Sequence, residues 1–115
     1  MCVLKGAITL FKATMHYVYI IYNEQADKFY IGHSVDPCRR LGQHNQNDGD
    51  KFTGKYSNWV LCAVFSVGES RSEAMKMEVF IKRQKSKTLI KTLILPDFVP
   101  VGVLAQLVRV PHVRD

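Results

Sequence analysis

Two short runs of β-branched and aromatic residues begin the regular pattern of the chain. Residues 17–22 read Tyr-Val-Tyr-Ile-Ile-Tyr, and residues 28–33 form a second run after a polar connection. Such runs favour strands, so the pair predicts an antiparallel hairpin. The first run is almost continuously apolar, which predicts burial on both faces of the sheet. In a regular hairpin we expect Tyr19 and Tyr30 to face each other across the pair.

Capping residues mark where the helices begin. Asp36 can accept hydrogen bonds from free backbone N–H groups, and Pro37 lacks an N–H, so a helix is predicted to begin here. It should end near residue 45. Ser70 and Glu73 have the spacing of a capping box, which predicts a second helix to about residue 85. A short last helix is predicted over residues 86–95.

A third strand is predicted over residues 59–67, where another β-branched and aromatic run occurs. The expected fold is therefore α/β, a small three-stranded antiparallel sheet flanked by helices. At 115 residues the chain builds one modest core. We expect one domain over residues 15–95, preceded by an N-terminal extension over residues 1–14.

The tail over residues 96–115 lacks a clear hydrophobic period. Pro96, Pro100 and Pro111 interrupt regular elements, and the last twelve residues resemble translated transfer-RNA gene sequence. Our interpretation is that the tail is not natively selected sequence, so truncation after Leu95 should leave folding intact. The alternative is a strand or loop that packs on the domain.

Composition excludes several classes of protein. Cys2, Cys38 and Cys62 form no Cys-x-x-Cys pair, which predicts neither a disulfide framework nor a zinc site. A reduced, cytoplasmic location is the simplest expectation. The chain contains no apolar run long enough to span a bilayer, so no membrane association is expected.

Positive charge is concentrated in one segment. The net charge is +6, and residues 71–91 contain seven bases and two acids. Clustered bases attract phosphate backbones. A solvated helix face has the same pattern, so charge alone leaves both interpretations open.

Three side chains suggest chemistry within this pattern. Arg40 and His44 lie four apart on the first helix and share a face, where a guanidinium grips phosphate and an imidazole transfers a proton. Glu78 lies among bases of the second helix. One carboxylate on a phosphate-binding surface suits Mg²⁺, which keeps most of its waters. Ordinary exposed polar residues, with Glu78 paired to Lys82, are the alternative.

Taken together, these residues resemble the GIY-YIG nuclease superfamily. Val18-Tyr19 matches the end of the first motif and Tyr30-Ile31-Gly32 matches the second, with Arg40, His44 and Glu78 following in order. The chain resembles small stand-alone bacterial members in particular. Related domains occur in the nuclease subunit of bacterial excision repair, in homing endonucleases and in junction endonucleases. In two respects the chain departs from the family: Tyr17 replaces a Gly, and no Asn follows Asn58.

The resemblance implies metal-assisted hydrolysis of a phosphodiester bond. Glu78 would hold one Mg²⁺ or Mn²⁺, and Tyr19 would deprotonate the attacking water. Arg40 would neutralise charge on the phosphate, and Tyr30 would position the phosphate or a water of the metal. His44 would assist proton transfer or orient Tyr19. These five side chains should converge on one concave surface without Tyr17 and Tyr22.

The resemblance also implies a substrate and a place of action. We expect a DNA endonuclease in DNA repair or in processing branched, flapped or damaged DNA, without sequence specificity. The alternative is a non-catalytic nucleic-acid-binding module on the same scaffold. Residues expected to follow the DNA backbone are Lys51, Lys55, Arg71, Lys82 and Lys85.

Overall fold

The computed structural model describes residues 3–4, 14–46 and 57–113. The fold is α/β. Its elements in chain order are β1 (Val3–Leu4), β2 (His16–Asn23), β3 (Lys28–Ser34), α1 (Pro37–Asn45), β4 (Trp59–Gly68), α2 (Arg71–Arg83), α3 (Lys87–Leu93), a 3-10 helix (Gly102–Gln106), β5 (Val108–Arg109) and β6 (His112–Val113).

The main sheet has four antiparallel strands in the order β3-β2-β4-β5. The prediction of three strands is therefore one strand short. The additional strand, β5, has two residues and lies in the proline-containing tail, which is too short a run to produce a strand pattern. A separate pair joins β1 to β6.

The register of the β2–β3 hairpin differs from the expected one. Tyr19 lies opposite Gly32, and Tyr30 lies opposite Ile21. The prediction that Tyr19 faces Tyr30 is wrong by two residues. The connection is a tight turn in which Asp27 N–H donates to the Glu24 carbonyl at 3.3 Å. A two-residue shift keeps both tyrosines on one face, because side chains alternate with a period of two.

The central strand β2 is covered on both faces, as its apolar run predicts. On one face Tyr17, Tyr19 and Ile21 pack in a cluster that includes Leu41 of α1. On the other face Val18 and Ile20 pack in a cluster that includes residues of α2: Ala74, Met77 and Ile81. Helices α1 and α2 therefore lie on opposite faces of the sheet.

Both predicted helix starts are confirmed. Asp36 accepts a hydrogen bond from Arg39 N at 3.1 Å, and Ser70 accepts from Glu73 N at 3.2 Å. Helix α2 ends at Arg83, two residues before the predicted end. Lys85 follows in the left-handed conformation with φ of 48°.

The tail packs against the domain. Leu104 and Leu107 are buried in the cluster that contains α2. Arg109 lies 4.8 Å from the Phe65 ring centroid and donates to the carbonyls of Leu93 and Phe98. These contacts favour the packed alternative, and the effect of truncation after Leu95 on folding stays a prediction. The domain boundaries stay a prediction.

The cysteines differ from expectation in one respect. Cys62 is a buried free thiol, whereas Cys38 is disulfide-bonded, so a disulfide is present although no disulfide framework was expected. In the part of the chain that the structure describes, no helix has the length and apolarity needed to cross a membrane.

Candidate active site

A buried hydrogen bond joins the first two predicted site residues. Tyr19 Oη lies 2.9 Å from His44 Nε2, and the imidazole tautomer decides which of the two atoms donates. His44 is fully buried and Tyr19 is 1% exposed. The fold produces this contact because α1 packs over the face of β2 that carries Tyr19.

The contacts continue from His44 to the edge of the sheet. The Tyr30 ring meets the His44 ring edge-on, with centroids 5.0 Å apart. On its other side, Lys82 Nζ lies 5.1 Å from the Tyr30 ring centroid. A cation this close to an aromatic ring is attracted to it electrostatically. Tyr30 is half-buried, and it joins a residue of α1 to a residue of α2.

Glu78 is held by two basic side chains. Its Oε1 lies 2.5 Å from His33 Nδ1, and its Oε2 accepts from Lys82 Nζ at 2.7 Å. The Glu78 side chain is 15% exposed. A charge so far from water requires such partners, since an unpaired buried carboxylate is costly.

The two helices bring their site residues to β3 from opposite faces. Glu78 belongs to α2, whereas Arg40 and His44 belong to α1. The expectation that all five site residues converge on one concave surface is therefore wrong, because they approach from two faces of the sheet. Because β3 is an edge strand, side chains from both faces can meet around it, and Lys82 does so over the Tyr30 ring.

Arg40 is half-buried on α1, one turn before His44. Its Nη1 donates to Gln43 Oε1 at 2.6 Å. An amide oxygen is a neutral acceptor, and Arg40 forms no ion pair with a carboxylate of the described residues. The guanidinium is therefore available to an anionic group.

The predicted DNA-contacting residues do not form one cluster. Lys82 and Lys85 are exposed near the end of α2, and exposed Arg71 begins that helix. The rise of an α-helix separates Arg71 from Lys82 by about 16 Å. Lys51 and Lys55 lie outside the described residues.

The two tyrosines that were expected to lie outside the site, Tyr17 and Tyr22, make other contacts. Tyr17 is buried beside Leu41, and burial, aided by the Asp36 charge, raises its pKa. Tyr22 donates to Asp27 Oδ1 at 2.7 Å, and this hydrogen bond is the first cause of its raised pKa. Because the pKa of each tyrosine is raised, both environments favour the neutral phenol.

His33 and Gly32 are site residues that the sequence reasoning missed. His33 bonds to Glu78, and a side chain at Gly32 would overlap Tyr19. The signal for Gly32 was its place in the motif, but its role depends on a register that was predicted incorrectly. The signal for His33 was its position directly after that motif, on the face opposite Tyr30.

The residues around Glu78 fit a hydrated divalent cation and not a fully protein-ligated one. Among the described residues no three His, Cys, Asp or Glu side chains form a metal-binding group. A lone carboxylate suits Mg²⁺, which is bound through one or two carboxylates and keeps several waters. The Lys82 ammonium contacts Glu78 Oε2, so a cation at that oxygen would compete with it.

Comparison with known proteins places the chain among endonucleases that hydrolyse phosphodiester bonds. A family model described as the GIY-YIG catalytic domain matches residues 15–91. The chain belongs to the GIY-YIG family. Nucleases of this family generally use divalent metal ions.

Two kinds of relative are similar to this chain. A UPF0213 protein from Halobacterium salinarum is 40% identical over 70 residues, which cover 60% of this chain and 87% of that protein. A UPF0213 protein from Streptococcus pyogenes is 34% identical over 73 residues, which cover 63% of this chain and 76% of that protein. The structure-specific endonuclease subunit SLX1 homolog 1 of Trypanosoma cruzi is 36% identical over 87 residues, which cover 67% of this chain. The match spans only 16% of that endonuclease subunit.

Proposed function

We propose that this protein is a metal-dependent endonuclease that cuts structured DNA. The observation that carries the proposal is the continuous series of contacts from Tyr19 through His44, Tyr30 and Lys82 to Glu78. Similarity to SLX1 homologs, whose names specify structure-specific endonuclease subunits, supports branched, flapped or damaged DNA as substrate. A role in DNA repair or processing, a cytoplasmic location and catalysis by residues 15–95 belong to the same proposal.

Proton transfer runs through the buried phenol and imidazole. In the His44 tautomer whose Nε2 carries no proton, Tyr19 would donate to Nε2 across their 2.9 Å contact. His44 would then take the phenol proton as Tyr19 takes a proton from the attacking water. The water oxygen forms a bond to phosphorus while the bond to the leaving oxygen breaks. Because both side chains are buried, their hydrogen bond is held by packing and does not compete with solvent.

Charge on the phosphate is balanced from both helices. The Arg40 guanidinium approaches from α1, and Lys82 from α2 lies over the Tyr30 ring that positions the phosphate. Glu78 would hold the divalent cation, Mg²⁺ or Mn²⁺, which supplies stabilisation of the leaving oxygen. His33 contacts Oε1 of the Glu78 carboxylate, whereas Lys82 contacts Oε2.

A second candidate is a non-catalytic nucleic-acid-binding module. The observation in its favour is that both Glu78 oxygens already contact basic side chains, His33 and Lys82. In that case the carboxylate would hold two bases in place for phosphate binding. It would have no role in turnover.

Nicking assays with the purified 115-residue protein separate the two candidates. Branched, flapped and linear DNA is incubated with Mg²⁺, Mn²⁺ or EDTA, and nicked product is quantified for wild type, Glu78→Ala and Arg40→Ala. We expect metal-dependent nicking that falls by about 10²-fold or more in each variant, as for loss of a transition-state charge partner. Glu73→Ala is the matched control, since Glu73 lies on the same helix but pairs with Lys76.

DNA binding, measured alongside nicking, decides between the nuclease and the binding module. Salt-sensitive DNA binding without nicking, unchanged in Glu78→Ala, would overturn the nuclease proposal in favour of the binding module. Equal loss of nicking in Glu73→Ala and Glu78→Ala would also count against it. That result would indicate a general effect on α2.

A further inference from the structure

A groove of about 320 Å³ lies beside the candidate active site, where β3 meets the end of α2 and the start of α3. Four lysines line it: Lys28, Lys82, Lys85 and Lys87. Lys85 lies in the turn between α2 and α3, and Lys87 begins α3. Lys82 also contacts Glu78 and the Tyr30 ring, so the groove is continuous with the site.

The floor of this groove is apolar. Phe29 and Ile31 of β3 line it, together with Ile81 and Ile90 from the two helices. Phe29 packs against Tyr22, with ring centroids 4.7 Å apart, which holds an aromatic ring at the floor. One acid, Asp27, also lines the groove and pairs with Lys87, so the lining keeps an excess of positive charge. Basic walls over an apolar and aromatic floor match an unpaired strand, whose phosphates and bases are both exposed.

The groove lysines differ in what they already bind. Lys82 pairs with Glu78 at 2.7 Å, and Lys87 pairs with Asp27 at 3.1 Å. Lys85 forms no ion pair with a described residue and is exposed. Its charge is therefore available to a phosphate.

Lys85 also adopts a backbone conformation that favours glycine. It follows the last residues of α2 with φ of 48°, and its N–H closes the helix by donating to the Lys82 carbonyl at 3.2 Å. Glycine is the usual residue at such a helix end, because a Cβ is unfavourable there. A lysine at this position costs backbone free energy, and such strain is concentrated at functional sites.

We propose that this groove binds an unpaired strand of the substrate DNA next to the cleavage site. The inference rests on the proposed function, because it assigns the strand to the substrate of that nuclease. A volume on the scale of a small-molecule site suits an unstacked nucleotide and is too small to enclose a duplex. The groove would thus favour flapped or branched DNA over blunt duplex.

Binding without turnover tests the groove directly. Fluorescence anisotropy in EDTA, with the same purified protein, compares labelled oligothymidine with a blunt duplex. Lys85→Gly should raise the Kd for oligothymidine by about fivefold or more and lower its salt slope by about one. Its Kd for the duplex should rise by a smaller factor than its Kd for oligothymidine, and its Tm should match or exceed wild type, since glycine relieves the left-handed strain.

Arg83→Gln is the control, because it removes one positive charge two residues away on α2, outside the groove lining. It should change the Kd for oligothymidine less than about twofold. A second variant, Phe29→Leu, keeps apolar volume and removes the ring, and it should also weaken oligothymidine binding severalfold. Equal losses in Lys85→Gly and Arg83→Gln, or unchanged binding in both groove variants, would overturn the proposal.

Nicking in Mg²⁺ separates this inference from the proposed function. If both hold, Lys85→Gly reduces nicking of flapped DNA by a larger factor than nicking of blunt duplex, so the preference for flapped DNA falls. Wild-type nicking with no groove-dependent binding overturns the groove and leaves the nuclease. Groove-dependent strand binding with no nicking by wild type overturns the nuclease and supports the groove as a binding site.

Discussion

Gly32 leaves the space that the Tyr19 hydroxyl occupies. A Cβ built at Gly32 would lie 2.6 Å from Tyr19 Oη and 2.7 Å from its Cζ, which is closer than nonbonded atoms approach. The ring of Tyr19 is fully packed, so it cannot turn aside without disturbing its neighbours. The absence of a side chain at residue 32 therefore sets where the phenol meets His44.

We predict that Gly32→Ala separates Tyr19 from His44. The added methyl group should cost about 1–3 kcal/mol of unfolding free energy through overpacking. It should also reduce nicking by about 10²-fold, because a displacement of about 1 Å in a catalytic group has that effect. Nicking rates and thermal unfolding measure the two effects.

Gly42→Ala is the control for this prediction. Gly42 lies in α1, and a Cβ there meets nothing within 4 Å. Alanine in a helix should stabilise the protein by about 0.5–1 kcal/mol relative to glycine. Nicking at the wild-type rate by Gly32→Ala would contradict a role for the close approach.

For individual residues, the sequence predicted which face of the sheet a side chain lies on better than which residue it contacts. Tyr19 and Tyr30 do lie on one face, because period-two alternation survives any even shift of register. Their predicted pairing failed because the turn after Asn23 sets the register, and its hydrogen bonds are not readable from composition. The contact of His33 with Glu78 joins residues 45 apart and depends on how α2 packs on β3.

The β2–β3 turn is an element whose stability should depend on pH. Asp27 accepts from Tyr22 and from Lys87, and these bonds hold its pKa below the ordinary value of 3.8. A carboxyl with a lowered folded-state pKa stabilises the fold above its unfolded pKa. That contribution is lost as the pH falls through the folded-state value.

We predict that Asp27→Asn lowers the Tm at neutral pH and that the difference from wild type shrinks below about pH 4. Asparagine tolerates the left-handed φ of 51° at this position, so the change removes charge and not backbone geometry. Thermal unfolding followed by circular dichroism from pH 7 to pH 3 measures the difference.

Glu24→Gln is the matched control, because Glu24 is an exposed acid of the same turn and forms no ion pair with a described residue. It should change the Tm little at any pH. A deficit in Asp27→Asn that stays constant from pH 7 to pH 3 would show that ionisation of Asp27 contributes nothing.

Helices and strands marked by contacts between residues close in sequence were predicted well. An element held only by residues far along the chain was not. Helices α1 and α2 begin where Asp36 and Ser70 indicate, because a cap is a contact between residues close in sequence. Strand β5 was missed, because two residues hold their place through pairing with Phe65 and Ser66, far along the chain.

For the whole molecule, the tail should contribute measurable stability. Leu107 is 3% exposed in the cluster that contains α2. We predict that Leu107→Ala lowers the free energy of unfolding by about 2–5 kcal/mol, since it leaves a cavity in the core. Urea denaturation with an unchanged m-value measures this loss.

Val108→Ala is the neighbouring control, because Val108 is 61% exposed. It should change stability by less than about 0.5 kcal/mol. Equal and small effects of both substitutions would restore the interpretation of residues 96–115 as a tail without a structural role. The packing was not predictable from the sequence, because the apolar residues of the tail have no period that assigns them to a face.

Strand β5 also affects how the molecule meets other copies of itself. Phe65 and Ser66 of β4 pair with β5, and Val110 N–H donates to the Val64 carbonyl at 2.8 Å. Exposed strand edges are templates on which sheets of separate molecules join. The short strand therefore shields this stretch of β4 from edge-to-edge association.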